Sequence, residues 1–116
     1  MLSYKDFELL LVHASLLVQY QQPEQAFVLL NAILEINPDC SDTKRLLSVA
    51  CLQTGRYTRS AALCEELLQS QSTQNESGLW FCLSQAWWKQ NNKDGARQAH
   101  RCYLQSLNSR SNEQAD

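Results

Sequence analysis

Few side chains in this 116-residue sequence could take part in catalysis, and their spacing does not assemble a reactive site. His13 and His100 have no Cys, Asp or Ser neighbour at catalytic spacing, and His13 lies in an apolar stretch that predicts a packed core residue. Glu65 and Glu66 are adjacent, so they point in different directions from one helix and cannot form a carboxylate pair. The sequence contains no glycine-rich phosphate loop and no Gly-x-Ser-x-Gly motif. We therefore expect no catalytic residue and no enzymatic activity.

The five cysteines could in principle form disulfides or bind a metal, but their spacing favours neither. Their number is odd, and no two of them are as close as a Cys-x-x-Cys pair. A disulfide framework or a structural zinc site would need tighter, paired spacing. We expect five reduced thiols that are mostly buried in a reducing compartment, with no metal and no cofactor. The five are Cys40, Cys51, Cys64, Cys82 and Cys102.

The charge balance argues against two classes of partner. The sequence has ten Lys and Arg residues and twelve Asp and Glu residues. It therefore lacks the concentrated basic face that binding to nucleic acids or anionic membranes favours. The apolar run from Leu9 to Val18 is about half the length needed to span a bilayer, and Asp6 and Glu8 stand where a signal peptide would be basic. We expect a cytoplasmic protein that does not insert into a membrane and begins with a buried helix.

The chain reads as a series of helices that repeat. It has only three glycines and two prolines, fewer than a β-rich fold of this length would use. Gln21, Gly55 and Asn91 open three similar polar breaks, spaced by 34 and 36 residues, with helical periodicity on both sides. We predict six helices at about 4–21, 24–36, 41–54, 57–70, 77–90 and 94–107.

Aligning the three copies gives columns of similar residues, which helix packing explains. Small residues are needed where two helix backbones cross closely, and large ones fill the space between successive hairpins. One small column contains Ala14, Ser48 and Ser84, and the other contains Ala26, Ser60 and Ala96. The two large columns contain Leu17, Cys51 and Trp87, and Ile33, Leu67 and Tyr103. A less regular large column contains His13, Leu47 and Leu83.

These columns resemble the tetratricopeptide repeat. The third copy has the Trp-x-x-Leu opening at Trp80 and Leu83, whereas the second is degenerate, with Lys44 replacing an aromatic residue and Ser72 replacing a proline. The resemblance implies an all-α fold of three tetratricopeptide-type hairpins in a right-handed superhelical stack. We expect one domain over residues 1–107, with repeats at about 7–40, 41–76 and 77–108 and a frayed polar tail over 108–116.

Three segments resemble a narrower family, the YscY (SctY) proteins of bacterial type III secretion. They are Leu-Leu-Asn-Ala-Ile-Leu-Glu-Ile-Asn-Pro at 29–38, Trp-Phe-Cys-Leu-Ser-Gln-Ala at 80–86 and Ala-Arg-Gln-Ala-His-Arg-Cys-Tyr-Leu at 96–104. The resemblance implies a cytosolic bacterial chaperone that binds the small secreted protein YscX and supports its delivery to the export gate. The needle-subunit co-chaperone, which is similar in size and fold, is the alternative.

The repeat register places one helix of each hairpin along a concave groove, whose residues we predict to bind the partner. Most of them are apolar, although the opposite stripes of the same helices already serve the core, and a helix that is apolar all round is a buried helix. A terminal segment, or a second copy packed face to face as in a self-associating adaptor, would be alternative occupants. The predicted groove residues are Leu11, Val12, Ser15, Val18, Arg45, Leu46, Val49, Leu52, Phe81, Cys82, Gln85 and Trp88.

The chemistry of this groove favours one kind of ligand. Arg45 and Lys89 are its main cations among aliphatic and aromatic residues, so we expect an amphipathic or hydrophobic helix rather than an acidic tail. Phe81 and Trp88 are seven residues apart and share one face of the fifth helix. We predict that this face contacts the partner, whereas Trp87 packs into the core.

Overall fold

The computed structural model describes residues 3–70 and 76–114, which form six helices joined by short turns. The segment 71–75, which falls within the predicted connector between the fourth and fifth helices, lies outside the described residues. The helices are α1 (Tyr4–Gln19), α2 (Pro23–Ile36), α3 (Ser41–Gln53), α4 (Tyr57–Gln69), α5 (Glu76–Lys89) and α6 (Lys93–Gln114).

Local sequence signals explain several of the helix ends. Ser3 and Asp6 form a capping box at the start of α1, in which each side chain accepts a hydrogen bond from the other residue's backbone N–H at 3.2 Å. Pro23 is the first residue of α2, where its missing N–H has no helical partner to lose. Pro38 follows the end of that helix and prevents its continuation.

The turn inside each hairpin has the same backbone form three times. Gln21, Gly55 and Asn91 each have a positive φ, of 61°, 82° and 67° respectively. The residue after each one donates its N–H to the carbonyl oxygen five residues earlier in the chain, as in Gln22 to Leu17 at 2.8 Å. This Schellman-type closure satisfies carbonyls at the end of the first helix and turns the chain back antiparallel. The breaks that recur in the sequence after 34 and 36 residues therefore correspond to turns of the same backbone form.

The six helices pack in chain order, and this confirms the predicted all-α helical repeat stack. Each helix from α1 to α6 contacts the next, and the first helices of successive hairpins also touch, α1 with α3 and α3 with α5. We call α1–α2, α3–α4 and α5–α6 the first, second and third hairpins. All members of the two predicted small-residue columns are buried: Ala14, Ala26, Ser48, Ser60, Ser84 and Ala96.

The core divides into two clusters, one at each junction between hairpins. The first cluster joins the first and second hairpins and is centred on Leu30, Ile33 and Leu47. The second joins the second and third hairpins and contains Cys64 and Cys82 among its aliphatic residues. Cys51 belongs to the first cluster, whereas Cys40 and Cys102 are only half-buried.

Two expectations differ from the structure. His13 is exposed, so its prediction as a core residue is wrong: its equivalents Leu47 and Leu83 pack against the preceding hairpin, and among the described residues no hairpin precedes α1. The sixth helix does not end near residue 107 as predicted, because α6 continues to Gln114. No proline or glycine interrupts the sequence there, and most of its residues are compatible with a helix. None of the described helices is both long and apolar enough to cross a bilayer.

Candidate partner-binding surface

The predicted groove residues of α1 divide between the core and the surface. Leu11 and Val18 are half-buried and pack against the first core cluster, together with Leu46 of α3. Val12 is 56% exposed and Ser15 is also exposed. This part of the predicted surface is therefore partly used to join the first two hairpins.

The predicted groove residues of α3 are all half-buried. Leu52 packs against the second core cluster, so Leu46 and Leu52 belong to different clusters. The Arg45 guanidinium lies 3.6 Å from the Asp42 carboxylate one turn earlier on the same helix, and Val49 lies between the two leucines in sequence.

Cys82 lies in the core rather than on the groove surface. It is 5% exposed, and its Sγ lies 3.4 Å from Ser60 Oγ and 3.8 Å from the carbonyl oxygen of Ser48. The repeat register explains this, because its equivalent in α3, Leu46, also packs toward the preceding hairpin. Cys82 was predicted to bind the partner, but its side chain is buried in the core, so we remove it from the partner-binding residues.

Two of the buried thiols, Cys51 and Cys64, lie fully buried in the core clusters, and the pKa values of both are raised. The hydrogen bond to Cys82, followed by burial, raises the pKa of the Cys64 thiol, because ionisation would remove the donor and leave a thiolate in the core. Burial also raises the pKa of Cys51. In the part of the chain that the structure describes, no three His, Cys, Asp or Glu side chains are arranged to hold a metal ion.

The remaining predicted residues of α5 face α6 instead of α3. The Phe81 ring packs against Tyr103 in a tilted arrangement, with ring centroids 5.3 Å apart. Gln85 and Trp88 line a cleft of about 490 Å³ between α5 and α6. We call it the α5–α6 cleft; its lining residues are Ser84, Gln85, Trp88, Ala96, Arg97, His100 and Arg101. Leu46 and Leu52, which the sequence had placed in the same groove, do not line this cleft.

The α5–α6 cleft combines an aromatic wall with positive charge. Trp88 is 51% exposed, and the Lys93 ammonium lies 5.8 Å from the centre of its ring. Among the described residues, Arg97 forms an ion pair with the fully exposed Asp94 at 3.5 Å, and so exposed a pair leaves its charge available to a ligand. Arg101 also lines the cleft. A cleft of this composition suits a helix that offers both apolar and acidic side chains.

Trp87 and Trp88 lie on different sides of α5. Trp87 is half-buried and packs against the second core cluster, whereas Trp88 opens onto the cleft. The helical period accounts for the difference, because adjacent residues are about 100° apart around the axis. Their location agrees with the predicted division of this helix, and the effect of each tryptophan on binding stays a prediction.

Sequence reasoning missed an apolar stripe on α1. Leu9 is 66% exposed, and Leu16 and Tyr20 are exposed on the same side of the helix. The signal was present in the sequence, because α1 is apolar on nearly every side. The repeat register predicts partner contact only for the concave stripe of α1. It does not indicate what covers the side of α1 that faces away from the second hairpin.

Comparison with known proteins agrees with this geometry. The family model of the tetratricopeptide repeat matches residues 17–77. The chain is similar to the chaperone protein YscY of Yersinia enterocolitica and to that of Yersinia pestis, with 32% identity to each over 104 residues. The alignment covers 90% of this chain and 90% of each relative.

Proposed function

Because the chain belongs to the tetratricopeptide-repeat family and to the YscY chaperones within it, we propose that it is a cytoplasmic type III secretion chaperone. It binds a small exported protein of the YscX type, keeps that protein soluble and supports its delivery to the export gate. It works by binding alone, without catalysis. The family relationship supports the class of function, and the exposed side chains support the mode of binding.

The observation that carries this proposal is the exposure of large apolar side chains on the first helices of the hairpins. Val12 on α1 and Phe81 and Trp88 on α5 are about half or more exposed, in a chain whose other large side chains mostly fill two cores. Covering one such side chain contributes roughly 1.5–3 kcal/mol, so a partner helix gains affinity here. The cations of the α5–α6 cleft favour a partner helix that also carries carboxylates.

The proposed partner-binding surface keeps the predicted groove residues other than Cys82. Its two parts are α5, where aromatic side chains border the cleft, and the α1–α3 side, where half-buried aliphatic side chains leave smaller exposed areas. The residues are Leu11, Val12, Ser15, Val18, Arg45, Leu46, Val49, Leu52, Phe81, Gln85 and Trp88.

Binding is tested by co-expressing the chain with the YscX-type protein from the same secretion system and measuring the affinity of the purified pair. Trp88→Ala and Phe81→Ala should each weaken binding by about thirtyfold, the equivalent of roughly 2 kcal/mol, because they remove exposed aromatic anchors. Helical content and melting temperature should stay close to those of the parent. Trp87→Ala should do the reverse, since its side chain packs on the second core.

Val28→Ala is the matched control, because Val28 is 68% exposed but lies outside the proposed surface. It should change neither affinity nor stability. If Trp87→Ala and Trp88→Ala behave alike in both assays, the division of α5 is wrong. If the native cell instead yields the needle subunit with this chain, the needle-subunit co-chaperone is the correct function.

A further inference from the structure

The three hairpins share one register, so the structure shows what normally covers each position and where that cover is missing. In α3 and α5, one stripe faces back onto the preceding hairpin. On α1 the same stripe is uncovered: Leu9 is exposed, whereas its equivalents Thr43 and Leu79 are buried. We call this stripe the rear face; its residues are Leu9, Val12, His13 and Leu16.

The opposite end of the stack lacks cover in the same way. His100 is exposed on α6, whereas its equivalents Leu30 and Cys64 are fully buried beneath the next hairpin. Leu104 is nearly half exposed, although its equivalent Leu68 packs against the second core cluster. We call this end the forward face; its residues are Phe81, Trp88, Arg97, His100 and Leu104, and it includes the α5–α6 cleft.

We infer that the occupant of the forward face, in the absence of another protein, is the rear face of a second copy of this chain. The first hairpin of that copy takes the place of a fourth hairpin, with its α1 along the α5–α6 cleft. Within the described residues, α1 is the one first helix of a hairpin whose rear stripe is both apolar and uncovered. The rear face of α1 therefore matches, in the repeat register, the position that follows the third hairpin.

Charge selects this head-to-tail arrangement over a symmetric one. The first hairpin, residues 3–40, has five carboxylates and one lysine, whereas the third hairpin, residues 76–108, has four Lys and Arg residues and two carboxylates. Unlike ends attract and like ends repel. The four residues of the rear face include no lysine or arginine, and the one lysine of the first hairpin, Lys5, lies one turn before Leu9 on α1.

The repeat register predicts one polar contact across the junction between the two copies. At the junction of the second and third hairpins, the Gln90 side-chain amide donates to Thr58 Oγ1 at 2.8 Å. The corresponding residues across the new junction are Tyr20 of the second copy and Asp94 of the first, both exposed. The tyrosine hydroxyl is a donor and the aspartate carboxylate an acceptor, so the pair matches in chemistry as well as in position.

A head-to-tail contact leaves one free face at each end, so assembly does not stop at two copies. Sedimentation equilibrium of the chain alone, across a roughly hundredfold range of concentration, should show an average mass that rises from 13.3 kDa past twice that value. This measurement needs no exported partner, so its failure leaves the proposed function untouched, and failure of partner binding leaves this inference untouched.

Two single variants separate the faces. Leu9→Lys alters the rear face and Leu104→Lys the forward face, and both positions are exposed enough to accept lysine without loss of helical content or melting temperature. Each variant alone should associate at least tenfold more weakly than the parent. Val28→Lys is the control, because the equivalents Ala62 and Gln98 are exposed in the other two hairpins, and it should associate like the parent.

Mixing the two variants is the deciding experiment. Leu9→Lys retains an intact forward face and Leu104→Lys an intact rear face, so an equimolar mixture should form a one-to-one complex that grows no further. A parent that stays monomeric overturns the inference. So does self-association that ends at a dimer and is not restored by mixing, which would indicate a symmetric face-to-face contact. Equal weakening by Val28→Lys would also overturn it.

Discussion

The two junctions between hairpins use the same register but fill it differently. At the first junction, Leu30 and Leu47 form an aliphatic contact within a cluster of apolar side chains. At the second, Cys64 takes the place of Leu30, and Ser60 takes the place of Ala26. The Ser60 hydroxyl is fully buried and donates to the carbonyl oxygen of Ser48 at 2.9 Å.

The difference shows that the repeat specifies size and contact more strictly than it specifies polarity. A small hydroxyl can replace a methyl group at a close helix crossing if a nearby carbonyl accepts its hydrogen bond. Ser48 and Ser84 follow the same rule, because each donates to a carbonyl three residues earlier in its own helix. The second repeat therefore looks degenerate in sequence although its backbone packs like the others.

The largest expected difference between the junctions concerns Leu30 and Cys64. Both are fully buried at equivalent positions. Leu30→Ala should lower the free energy of unfolding by about 2–5 kcal/mol, because it removes three carbon atoms from a close-packed cluster, whereas Cys64→Ala should cost about 1 kcal/mol. Denaturant melts of the two variants test this. Equal losses would mean that the two junctions are not energetically distinct.

A smaller difference is expected when a small residue is enlarged. Ala26→Leu should cost about 1–3 kcal/mol, because Ala26 is fully enclosed at the crossing of α1 and α2. Ala96→Leu should cost less, since Ala96 lines the open α5–α6 cleft and the added side chain can extend into it. Thermal melts compare the two, and no loss for either variant would show that the helix register is wrong.

Exchanging the hydroxyl between the junctions should have a moderate effect. Ser60→Ala should cost about 1 kcal/mol by removing its buried hydrogen bond. Ala26→Ser should be tolerated to within about 1 kcal/mol, because the same register offers the new hydroxyl the carbonyl of Ala14. Urea melts of both single variants provide the measurement. A loss of several kcal/mol for Ala26→Ser would show that the first junction does not accept a polar group.

The smallest expected effect lies in the turns inside the first and second hairpins. Gln21→Gly should raise the free energy of unfolding by about 0.5–1 kcal/mol, because Gln21 has a positive φ that strains a residue with a Cβ. Gly55→Ala should lower it by about 1 kcal/mol through the backbone alone, since a Cβ there meets no atom within 4 Å. Precise chemical melts would detect both, and a loss of stability for Gln21→Gly or a gain for Gly55→Ala would contradict the shared turn geometry.

Much of the fold followed from local pattern. The breaks at Gln21, Gly55 and Asn91 located the hairpins, and the small columns located the helix crossings, because both depend on residues close in sequence. The surface was predicted less well. Cys82 proved to be buried and Phe81 proved to face Tyr103, because the direction of a side chain depends on which neighbouring helix lies beside it.

The sequence by itself determined that the chain forms six helices, where they turn and which small residues lie between them, because helix periodicity and turn chemistry act over a few residues. Only the tertiary structure decided which apolar stripes are covered. Leu9 and Leu79 occupy equivalent positions, yet one is exposed and the other buried, because a hairpin packs behind α5 and none of the described residues packs behind α1 in the same way. Burial is a property of the neighbour as well as of the residue, and the neighbour is set by the order of the stack.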